Sequence, residues 1–293
     1  MHNNHIIDHV NKDLSGKGIE FDREWYLDCV WDWTDPFGLP EVVEHEGFMV
    51  VRDDLIEFGS KCRFGDYLVK NCKQDTLVYV QPRCGFAGIS LSYLAHKYNK
   101  RLVLFMPSSK EISDHQAICI ERGAIPMFRR IAAMPNLNKI AKKWSEENDA
   151  FFIPLGLVHN SVTSAIVNTC DRIIKHYGAP AEVWCAISTG VLSRGLQIGF
   201  HKAKFHSVAV ARNLKKGELG RSQVYSHPKA FTSNVDLDHK PPFPSASNYD
   251  AKVWQYMKEF GEPGALMWNV AGNVKPSMDK SIIDSYRDWG EIR

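Results

Sequence analysis

The sequence has neither the long apolar runs of membrane proteins nor the paired cysteines of disulfide-rich or zinc-binding ones. No stretch of its 293 residues approaches the roughly 18 consecutive apolar residues of a membrane-spanning helix. The amino-terminal stretch MHNNHIIDHV has no basic segment followed by an apolar run, which disfavours a secretory signal. The seven cysteines form no C-x-x-C pair, which disfavours a disulfide framework or a zinc ribbon and favours a reducing compartment. We therefore expect a soluble, cytoplasmic protein.

Charge of either sign is not in excess. The chain has 36 Lys and Arg against 34 Asp and Glu, and this formal net charge of +2 by itself indicates neither a nucleic-acid nor a membrane partner. Two local basic stretches, FRRIAAMPNLNKIAKKW and HKAKFHSVAVARNLKKG, are typical of solvated helix faces and strand ends. DNA stays open as a partner, and no membrane partner is expected. His2, His5 and His9 have near-helical spacing, but a frayed terminus explains them better than a metal site, and we predict no bound metal.

Neither of the common nucleotide-binding loops is present. The segment PRCGFAGISLSYLAH, residues 82–96, runs from a strand through a glycine turn into a helix, but it lacks the G-x-G-x-x-G spacing, and no acidic residue ends the next strand, RLVLFMP. No G-x-x-x-x-G-K-[ST] motif exists, which excludes a P-loop. The turn could still bind an anion such as a carboxylate. Cys84 within it is a candidate thiolate, although a packed cysteine is the commoner use of this residue.

What the sequence does contain is a regular alternation of strand and helix patterns. From residue 46, short apolar runs such as TLVYVQP and EVWCAIS alternate with helical patterns such as SAIVNTCDRIIKHYG. This alternation predicts βαβ crossovers and an α/β fold with a largely parallel sheet. Residues 213–250 interrupt it, and HKPPFPSASNYD within them predicts a long ordered loop, which is often functional. The length and the 44% hydrophobic content suit one large domain or two lobes that share a cleft.

The turn ISTGVLSRGLQIGF, residues 187–200, is a candidate phosphate site. It follows an apolar strand and opens a helix, and backbone N–H groups at such a turn form an anion site together with the helix N-terminus. Ser188, Thr189, Gly190 and Ser193 could donate to a phosphate. The alternative is a tight turn between strand and helix whose glycine serves geometry alone.

Lys61 is the candidate for covalent chemistry. It lies in RDDLIEFGSKCRFGDYLV, residues 52–69, on a short Gly/Ser turn at the mouth of a helix. A single lysine of this kind is most often a solvated surface cation. The wider order changes this interpretation, because the lysine turn, the middle glycine turn, the Ser/Thr/Gly turn and a late Tyr249–Asp250 pair follow one another along the chain.

This order resembles the pyridoxal-phosphate enzymes of the tryptophan-synthase-β family, known as fold type II. It is most similar to the branch of the aminocyclopropane-carboxylate deaminases and D-cysteine desulfhydrases, in which a strand ending Arg-Asp-Asp-Leu leads to a Gly-Asn-Lys-x-Arg turn. The matching positions here are Arg52, Asp53, Asp54, Leu55, Gly59, Ser60, Lys61 and Arg63. The resemblance covers roughly residues 36–275 and implies that Lys61 forms a Schiff base with pyridoxal 5′-phosphate.

The resemblance also assigns the cofactor contacts. The family's phosphate-binding turn corresponds to residues 188–193, and the cofactor-binding residues that it implies are Lys61, Ser188, Thr189, Gly190, Val191, Leu192, Ser193 and Asp250. Val191 and Leu192 stand where glycine and threonine are usual. A Tyr-Glu-Gly-Lys segment of the branch corresponds to NYDAKVW, which implies that Tyr249 is catalytic and that Asp250 faces the pyridine nitrogen.

The middle turn departs from the family. Its usual Ser-Gly-Asn-x-Gly sequence contacts the cofactor ring oxygen through the asparagine and the substrate carboxylate through the hydroxyls, but this chain has neither group at residues 84–88. The substrate-binding residues that the resemblance implies are Arg83, Cys84, Gly85, Phe86 and Ala87. Phe86 in place of the asparagine favours either a substrate that is not a plain α-amino acid or loss of CO2 beside an apolar wall. Arg83 could oppose this by pairing with the carboxylate.

The resemblance implies a two-lobed α/β fold in which largely parallel, twisted sheets carry helices on both faces. We predict a large cofactor-binding lobe from residues 1–70 and 160–293, a smaller, mobile lobe from residues 71–159, and a cofactor cleft between them. The predicted function is that of a pyridoxal-phosphate-dependent lyase that breaks a Cα bond of an amino-acid-like substrate by deamination or elimination. We expect the protein to be a homodimer. Two alternatives stay open. One is a decarboxylase of an amino-acid adduct on a larger molecule, such as a hypermodified phage DNA nucleobase, and the other is a non-catalytic relative that serves as a binding module.

Overall fold

The computed structural model describes residues 22–130, 133–211, 219–279, 281 and 283. His2, His5 and His9 lie outside the described residues, as does part of each basic stretch. The strands are β1 Val42–His45, β2 Phe48–Arg52, β3 Thr76–Val80, β4 Arg101–Pro107, β5 Ile125–Arg129, β6 Phe151–Phe152, β7 Glu182–Ile187, β8 Lys204–Ala209, β9 Gln223–Ser226 and β10 Leu266–Asn269. The helices are α1 Arg23–Asp28, α2 Lys61–Asn71, α3 Ala87–Lys97, α4 Asp114–Glu121, α5 Met134–Glu147, α6 Asn160–Tyr177, α7 Val191–Gly199 and α8 Ala251–Phe260.

The chain divides into two compact units, each with its own sheet. Among the described residues, the first unit consists of the chain up to Tyr67 and of Val158–Asn273, and the second of Leu68–Leu157 and the residues from Val274 onward. The first unit contains a six-stranded sheet in the order β1-β2-β10-β7-β8-β9, and the second a four-stranded sheet in the order β5-β4-β3-β6. Every neighbouring pair of strands is parallel except β1 and β2. The predicted α/β class with largely parallel sheets is confirmed.

The central strands are buried along their whole length, as expected for parallel sheets that helices cover on both faces. All five residues of β3 and all six residues of β7 are buried. In the first unit, Trp184 of β7, Met267 of β10 and Trp254 of α8 belong to one apolar cluster. Because β2, β10 and β7 are parallel neighbours, their carboxyl ends meet at one edge of the sheet. The loops after these three strands, together with the residues just before α8, carry the candidate site.

Helix α7 packs against α6 through two glycines. A Cβ atom at Gly195 would lie 2.6 Å from Ile166 Cγ2, and one at Gly199 would lie 2.6 Å from Cys170 Sγ. The two glycines are four residues apart and therefore share one face of the helix. Any side chain at these positions would push α7 away from α6. The close approach of the two helices thus fixes the position of the first turn of α7, which follows β7 after the short turn of residues 188–190.

The elements that the sequence pattern missed are short and lie at the margins of the first unit. Strands β1 and β9 are the two edges of the six-stranded sheet, and neither contains a buried residue. A strand with no buried residue leaves no apolar run in the sequence, and β9 lies inside the interrupted segment 213–250. Helix α1 has only six residues, and Asp22 caps it by accepting a hydrogen bond from Trp25 N–H at 3.1 Å.

None of the described helices is both long enough and apolar enough to cross a membrane. The described part of the chain also contains no group of three or more His, Cys, Asp or Glu side chains that could hold a metal ion.

Candidate active site

Lys61 is the first residue of α2 and follows the carboxyl end of β2. A 3₁₀ turn, Asp53–Leu55, and Gly59, whose φ is +77°, carry the chain from the strand to the helix. Glycine suits this φ because a Cβ atom would crowd the backbone there. Burial lowers the pKa of the Lys61 amine, and the Asp250 carboxylate acts in the opposite direction. A lowered pKa leaves more of the amine unprotonated, which is its nucleophilic form.

Asp250 is a fully buried carboxylic acid at the N-cap of α8. Its Oδ2 accepts a hydrogen bond from Val270 N–H at 3.2 Å. Its Oδ1 is buried and has no hydrogen-bond partner in the described part of the chain. Burial raises the pKa of Asp250 well above its ordinary value, while the Val270 N–H and the Lys61 amine oppose this. Because a buried acceptor without a donor is costly, Oδ1 marks a place where an N–H group of a ligand fits.

Val270, the residue after β10, connects the lysine turn with Asp250. Its carbonyl accepts a hydrogen bond from Ser60 N–H at 2.9 Å, and its own N–H donates to Asp250 Oδ2. One residue therefore holds the turn before Lys61 on one side and the carboxylate on the other. Val270 was not identified from the sequence, because it acts through its backbone and no side-chain type signals such a role.

Asn269, the last residue of β10, ties the loop before α8 to the turn after β2. Its Nδ2 donates to Asp54 Oδ1 at 2.7 Å and to the Pro244 carbonyl at 2.8 Å. Its Oδ1 accepts from Ser245 Oγ at 2.8 Å. Asp54 also accepts two hydrogen bonds from the Arg52 guanidinium, both at 2.8 Å. Asn269 was also missed from the sequence, although an asparagine at the end of an apolar strand is a signal that could have identified it.

Arg63 anchors the first turn of α2 in a buried ion-pair network. Its guanidinium donates to Asp53 Oδ1 at 3.1 and 3.2 Å and also pairs with Asp35. The other oxygen of Asp53 accepts from Trp268 Nε1 at 3.0 Å. Burial raises the pKa of Asp53, and Arg63 and Trp268 oppose this. The network fastens the helix start that carries Lys61 to the 3₁₀ turn before it.

The turn of residues 188–193 presents backbone N–H groups. Gly190 is the N-cap of α7 with a φ of +81°, and no side chain caps this helix. The first N–H groups of a helix have no intrahelical partner, so those of the three residues after Gly190 are placed for an anion. The Ser193 hydroxyl already accepts from Gln197 Nε2 at 3.0 Å and lies 3.3 Å from Ser207 Oγ.

The remaining side chains of this turn add little polar character. Thr189 and Leu192 are half-buried, and Val191 is buried. The Thr189 carbonyl accepts from Arg194 at 3.3 Å. Apart from the hydroxyls of Ser188 and Thr189, the groups that this turn could offer to an anion are backbone N–H groups, which is consistent with apolar residues at positions 191 and 192.

Tyr249 links the turn of residues 188–193 to Asp250. Its hydroxyl lies 3.2 Å from Ser188 Oγ, and Phe231 packs edge-on against its ring at 6.0 Å between centroids. Burial raises the pKa of Tyr249, and the neighbouring Asp250 carboxylate raises it further. The phenol therefore keeps its proton at neutral pH.

The turn Arg83–Ala87 belongs to the second unit, where it joins β3 to α3. The Arg83 side chain is exposed, Gly85 has a φ of +135°, and Ala87 is the buried first residue of α3. Burial raises the pKa of the Cys84 thiol, which is contrary to an activated thiolate. Phe86 is the N-cap of α3, and its ring meets His115 edge-on at 5.2 Å.

The chain is similar to solved structures, whereas no protein-family model and no curated protein sequence matches it. One similar structure is an ACC deaminase homologue, with a TM-score of 0.66 and 16% identity over 82% of this chain and 88% of that chain. Another is threonine deaminase isoform 2 from Solanum lycopersicum, with a TM-score of 0.67 and 11% identity over 94% of this chain and 95% of that chain. A third is maize serine racemase, with a TM-score of 0.67 and 10% identity over 92% of this chain and 98% of that chain. This chain has their fold, which is fold type II. The prediction of the fold is confirmed.

In this fold type II chain, the first unit brings together four of the residues selected from the sequence. Lys61 follows β2, Ser188 follows β7, and Tyr249 and Asp250 immediately precede α8, which leads into β10. Hydrogen bonds through Val270 and between Ser188 and Tyr249 connect these segments. The resulting arrangement contains an amine of lowered pKa, a buried acceptor without a partner in the described residues, and a set of N–H groups at a helix start.

Proposed function

We propose that this protein is a pyridoxal-phosphate (PLP)-dependent lyase that breaks a Cα bond of an amino-acid-like substrate by deamination or elimination. The observation that carries the proposal is Asp250 Oδ1, a buried acceptor that has no partner in the described chain and belongs to a carboxylate held by the same Val270 as the lysine turn. A pyridine aldehyde with a phosphate needs an amine, an acceptor for its ring N–H, and donors for its phosphate. The first unit supplies all three, so its residues fit PLP.

Lys61 supplies the amine. When bound, PLP provides an aldehyde that condenses with amines and a ring that takes up the electrons of a broken Cα bond. Because burial lowers the pKa of Lys61, a larger share of this amine is unprotonated near neutral pH than for an exposed lysine. The free amine can then accept a proton from the substrate Cα and return it.

Asp250 is the residue that would hold the ring nitrogen of PLP, through its Oδ1. In the protein alone, burial without a full partner raises the pKa of this acid and favours its neutral form. A cationic N–H group next to Oδ1 supplies the missing partner and stabilises the ionised carboxylate. Asp250 would thereby favour a protonated ring nitrogen, and a protonated ring is the stronger acceptor of electrons.

The start of α7 binds the phosphate through its backbone. The N–H groups after Gly190 point out of the helix end, and the helix dipole favours negative charge there. This contact tolerates the apolar side chains of Val191 and Leu192, because it uses no side-chain atom. Ser188 adds a hydroxyl at the start of the turn.

Tyr249 acts as a proton donor to the substrate or to its leaving group. Its raised pKa keeps the proton on the phenol until a basic group is close. Ser188 Oγ, at 3.2 Å, orients the hydroxyl.

The absorption spectrum of the purified protein with added PLP tests the proposal. We expect a visible band from a lysine-bound cofactor that is abolished in Lys61→Ala. Lys70→Ala is the matched control, because Lys70 lies in the same helix but is exposed, and it should retain the band. A band of full height in Lys61→Ala would reject Lys61 as the amine. A wild-type protein without any band would favour the non-catalytic binding relative.

The similar structures support an amino-acid substrate, since they are named as an ACC deaminase homologue, a threonine deaminase and a serine racemase. We therefore expect release of ammonia from at least one of 1-aminocyclopropane-1-carboxylate, L-threonine and L-serine, or of sulfide from D-cysteine. The product assay should be run with Lys61→Ala beside the wild type. Product from the wild type alone supports the lyase, and equal product from both opposes it.

Decarboxylation is the second candidate, and Phe86 is the observation that favours it. Its ring packs against His115, and no side-chain amide or hydroxyl is present at residues 83–87. An apolar surface next to a carboxylate destabilises the charge that disappears as CO2 leaves. Release of CO2 in place of ammonia would select this candidate. If the larger molecule is DNA with an amino-acid adduct, its affinity should fall steeply as salt is raised.

A further inference from the structure

Gln81 fills the inside of the turn that follows β3. It is fully buried, and its backbone N–H continues the sheet by donating to the Phe105 carbonyl at 2.9 Å. Its side-chain Nε2 donates to the carbonyls of Pro82 and Gly85, both at 3.0 Å. Its Oε1 accepts from Gly88 N–H at 2.9 Å. One amide thus satisfies three backbone groups on the two sides of the turn.

Gly88 is matched to this amide. A Cβ atom at Gly88 would collide with Gln81 Oε1 and would lie 2.8 Å from Gln81 Cδ and 2.9 Å from Cys119 Sγ. Since Cys119 is buried on α4, the neighbours have little room to move. The start of α3 can approach Gln81 this closely only because residue 88 has no side chain.

The side-chain amide of Gln81 also orients the peptide groups of the turn. Since Nε2 draws the carbonyls of Pro82 and Gly85 inward, the peptide groups of residues 83–87 are fixed by a side chain outside that stretch. The stretch itself offers no hydroxyl or side-chain amide that could do the same. Its conformation therefore depends on Gln81.

We propose that Gln81 is the positioning residue of the Arg83–Ala87 turn and sets the backbone geometry with which that turn meets the substrate carboxylate. This inference rests on the proposed function for the substrate, but the effect of Gln81 on the turn does not. Loss of the amide leaves the buried Gly88 N–H without its acceptor and removes the donor of two part-buried carbonyls, which favours rearrangement of the turn.

The test compares Gln81→Met with Gln116→Met. Methionine has a similar length but makes none of the three hydrogen bonds. Gln116 is the matched control, because it is equally buried in the second unit and also braces a turn, donating to the Pro107 carbonyl at 3.4 Å and accepting from Ser113 N–H at 3.3 Å. Amide hydrogen exchange of residues 83–88 and the kinetics with L-threonine, L-serine and 1-aminocyclopropane-1-carboxylate are measured for both variants.

We expect Gln81→Met to accelerate exchange at Gly88 N–H about tenfold or more, as for the loss of roughly one net hydrogen bond. For the amino acid that reacts best, KM should rise by about tenfold with a smaller change in kcat, since the turn acts in binding. The visible band of lysine-bound PLP should persist. Gln116→Met should leave the exchange at Gly88 and the KM unchanged, even if it lowers stability as much.

Gly88→Ala is a second variant that disturbs the same contact from the other side. It should reproduce the fast exchange, whereas Gly123→Ala, with a φ of +86° and open space around it, should lose stability without affecting residues 83–88. Unchanged exchange and KM in Gln81→Met, or an equal rise of KM in Gln116→Met, would overturn the inference. If the wild type does not bind PLP, the proposed function is wrong. The hydrogen-exchange data alone then test the role of Gln81.

Discussion

At the scale of single residues, the site contains a carboxylate that the folded chain does not fully stabilise. Asp250 is completely buried, its Oδ1 has no partner in the described residues, and burial raises its pKa. The backbone N–H groups of Val270 and Ala271 and the Lys61 amine offset only part of this rise in pKa. The buried carboxylate of Asp250 therefore lowers the stability of the folded protein and leaves an acceptor for a ligand. Such a loss of stability is common at functional sites.

We predict that Asp250→Asn stabilises the protein without cofactor. Asparagine has almost the same shape, keeps an acceptor for Val270 N–H, and cannot ionise. Because the folded-state pKa of Asp250 is raised, wild-type stability falls as pH rises from the ordinary aspartate pKa of about 3.9 toward the folded value. The advantage of the variant should grow over that range because asparagine buries no charge, by about 1.4 kcal/mol for each unit by which the folded-state pKa is raised. Urea unfolding at several pH values measures it.

Asp236→Asn is the control of opposite sign. Asp236 is exposed, and its hydrogen bond with Lys229 lowers its pKa. Its contribution is present above the ordinary aspartate pKa and is lost as pH falls, so this variant should be less stable than the wild type near neutral pH. If Asp250→Asn were also less stable at every pH, the account of Oδ1 as a vacant acceptor would be wrong.

At the scale of elements, buried charges hold the start of α2, and we predict that Arg63→Met lowers the free energy of unfolding by about 3–5 kcal/mol. The variant removes the guanidinium from Asp53, which keeps its hydrogen bond from Trp268 Nε1, and removes one of two arginine partners from Asp35. Because Lys61 begins the same helix, the variant should also capture PLP more slowly. Chemical unfolding and the growth of the visible band after PLP addition measure the two effects.

Lys175→Met is the matched control for the loss of an ion pair. The Lys175 ammonium is largely exposed and lies 2.7 Å from Asp171 within one helix. Such pairs contribute about 0.3–0.5 kcal/mol, and α6 does not carry the amine. Equal losses in Arg63→Met and Lys175→Met would show that the buried network does not anchor the lysine turn.

The elements that carry the site were predictable because each changes pattern where it ends. Strand β7 is an apolar run closed by Ser-Thr-Gly, and Lys61 lies at the point where a strand pattern gives way to a helix pattern. The contacts made by backbone groups were not predictable, since they depend on the register of β2 against β10. Val270 is the clearest example. Asn269 and Gln81 carried a weak signal, as polar residues at the ends of apolar strands, but a pattern does not reveal which backbone groups they bind.

At the scale of the whole molecule, ligand binding should appear as added stability. We predict that PLP raises the thermal unfolding midpoint of the protein and that inorganic phosphate raises it less, because phosphate occupies only the start of α7. A ligand at 100 times its Kd adds about 2.7 kcal/mol to the free energy of unfolding. Differential scanning fluorimetry with graded concentrations of each ligand measures the two shifts.

Gly190→Ala and Gly264→Ala form the matched pair for this prediction. Both glycines lie in the first unit with positive φ, +81° and +78°, so both variants should lose stability through backbone strain. Only Gly190 forms part of the phosphate turn. The rise in the unfolding midpoint caused by phosphate should therefore shrink in Gly190→Ala and persist in Gly264→Ala. A full rise in both variants would show that phosphate does not bind at this turn.

The central claim is that the amine of Lys61, and no other, bonds covalently to the cofactor. Borohydride reduction of the PLP-treated protein, followed by peptide mass mapping, tests it most directly. We predict one modified peptide that contains Lys61. Lys252 is the informative competitor, since it is a buried lysine of the first unit and donates to the Ala230 carbonyl at 2.9 Å. Modification at Lys252 instead, or no modified peptide at all, would contradict the account.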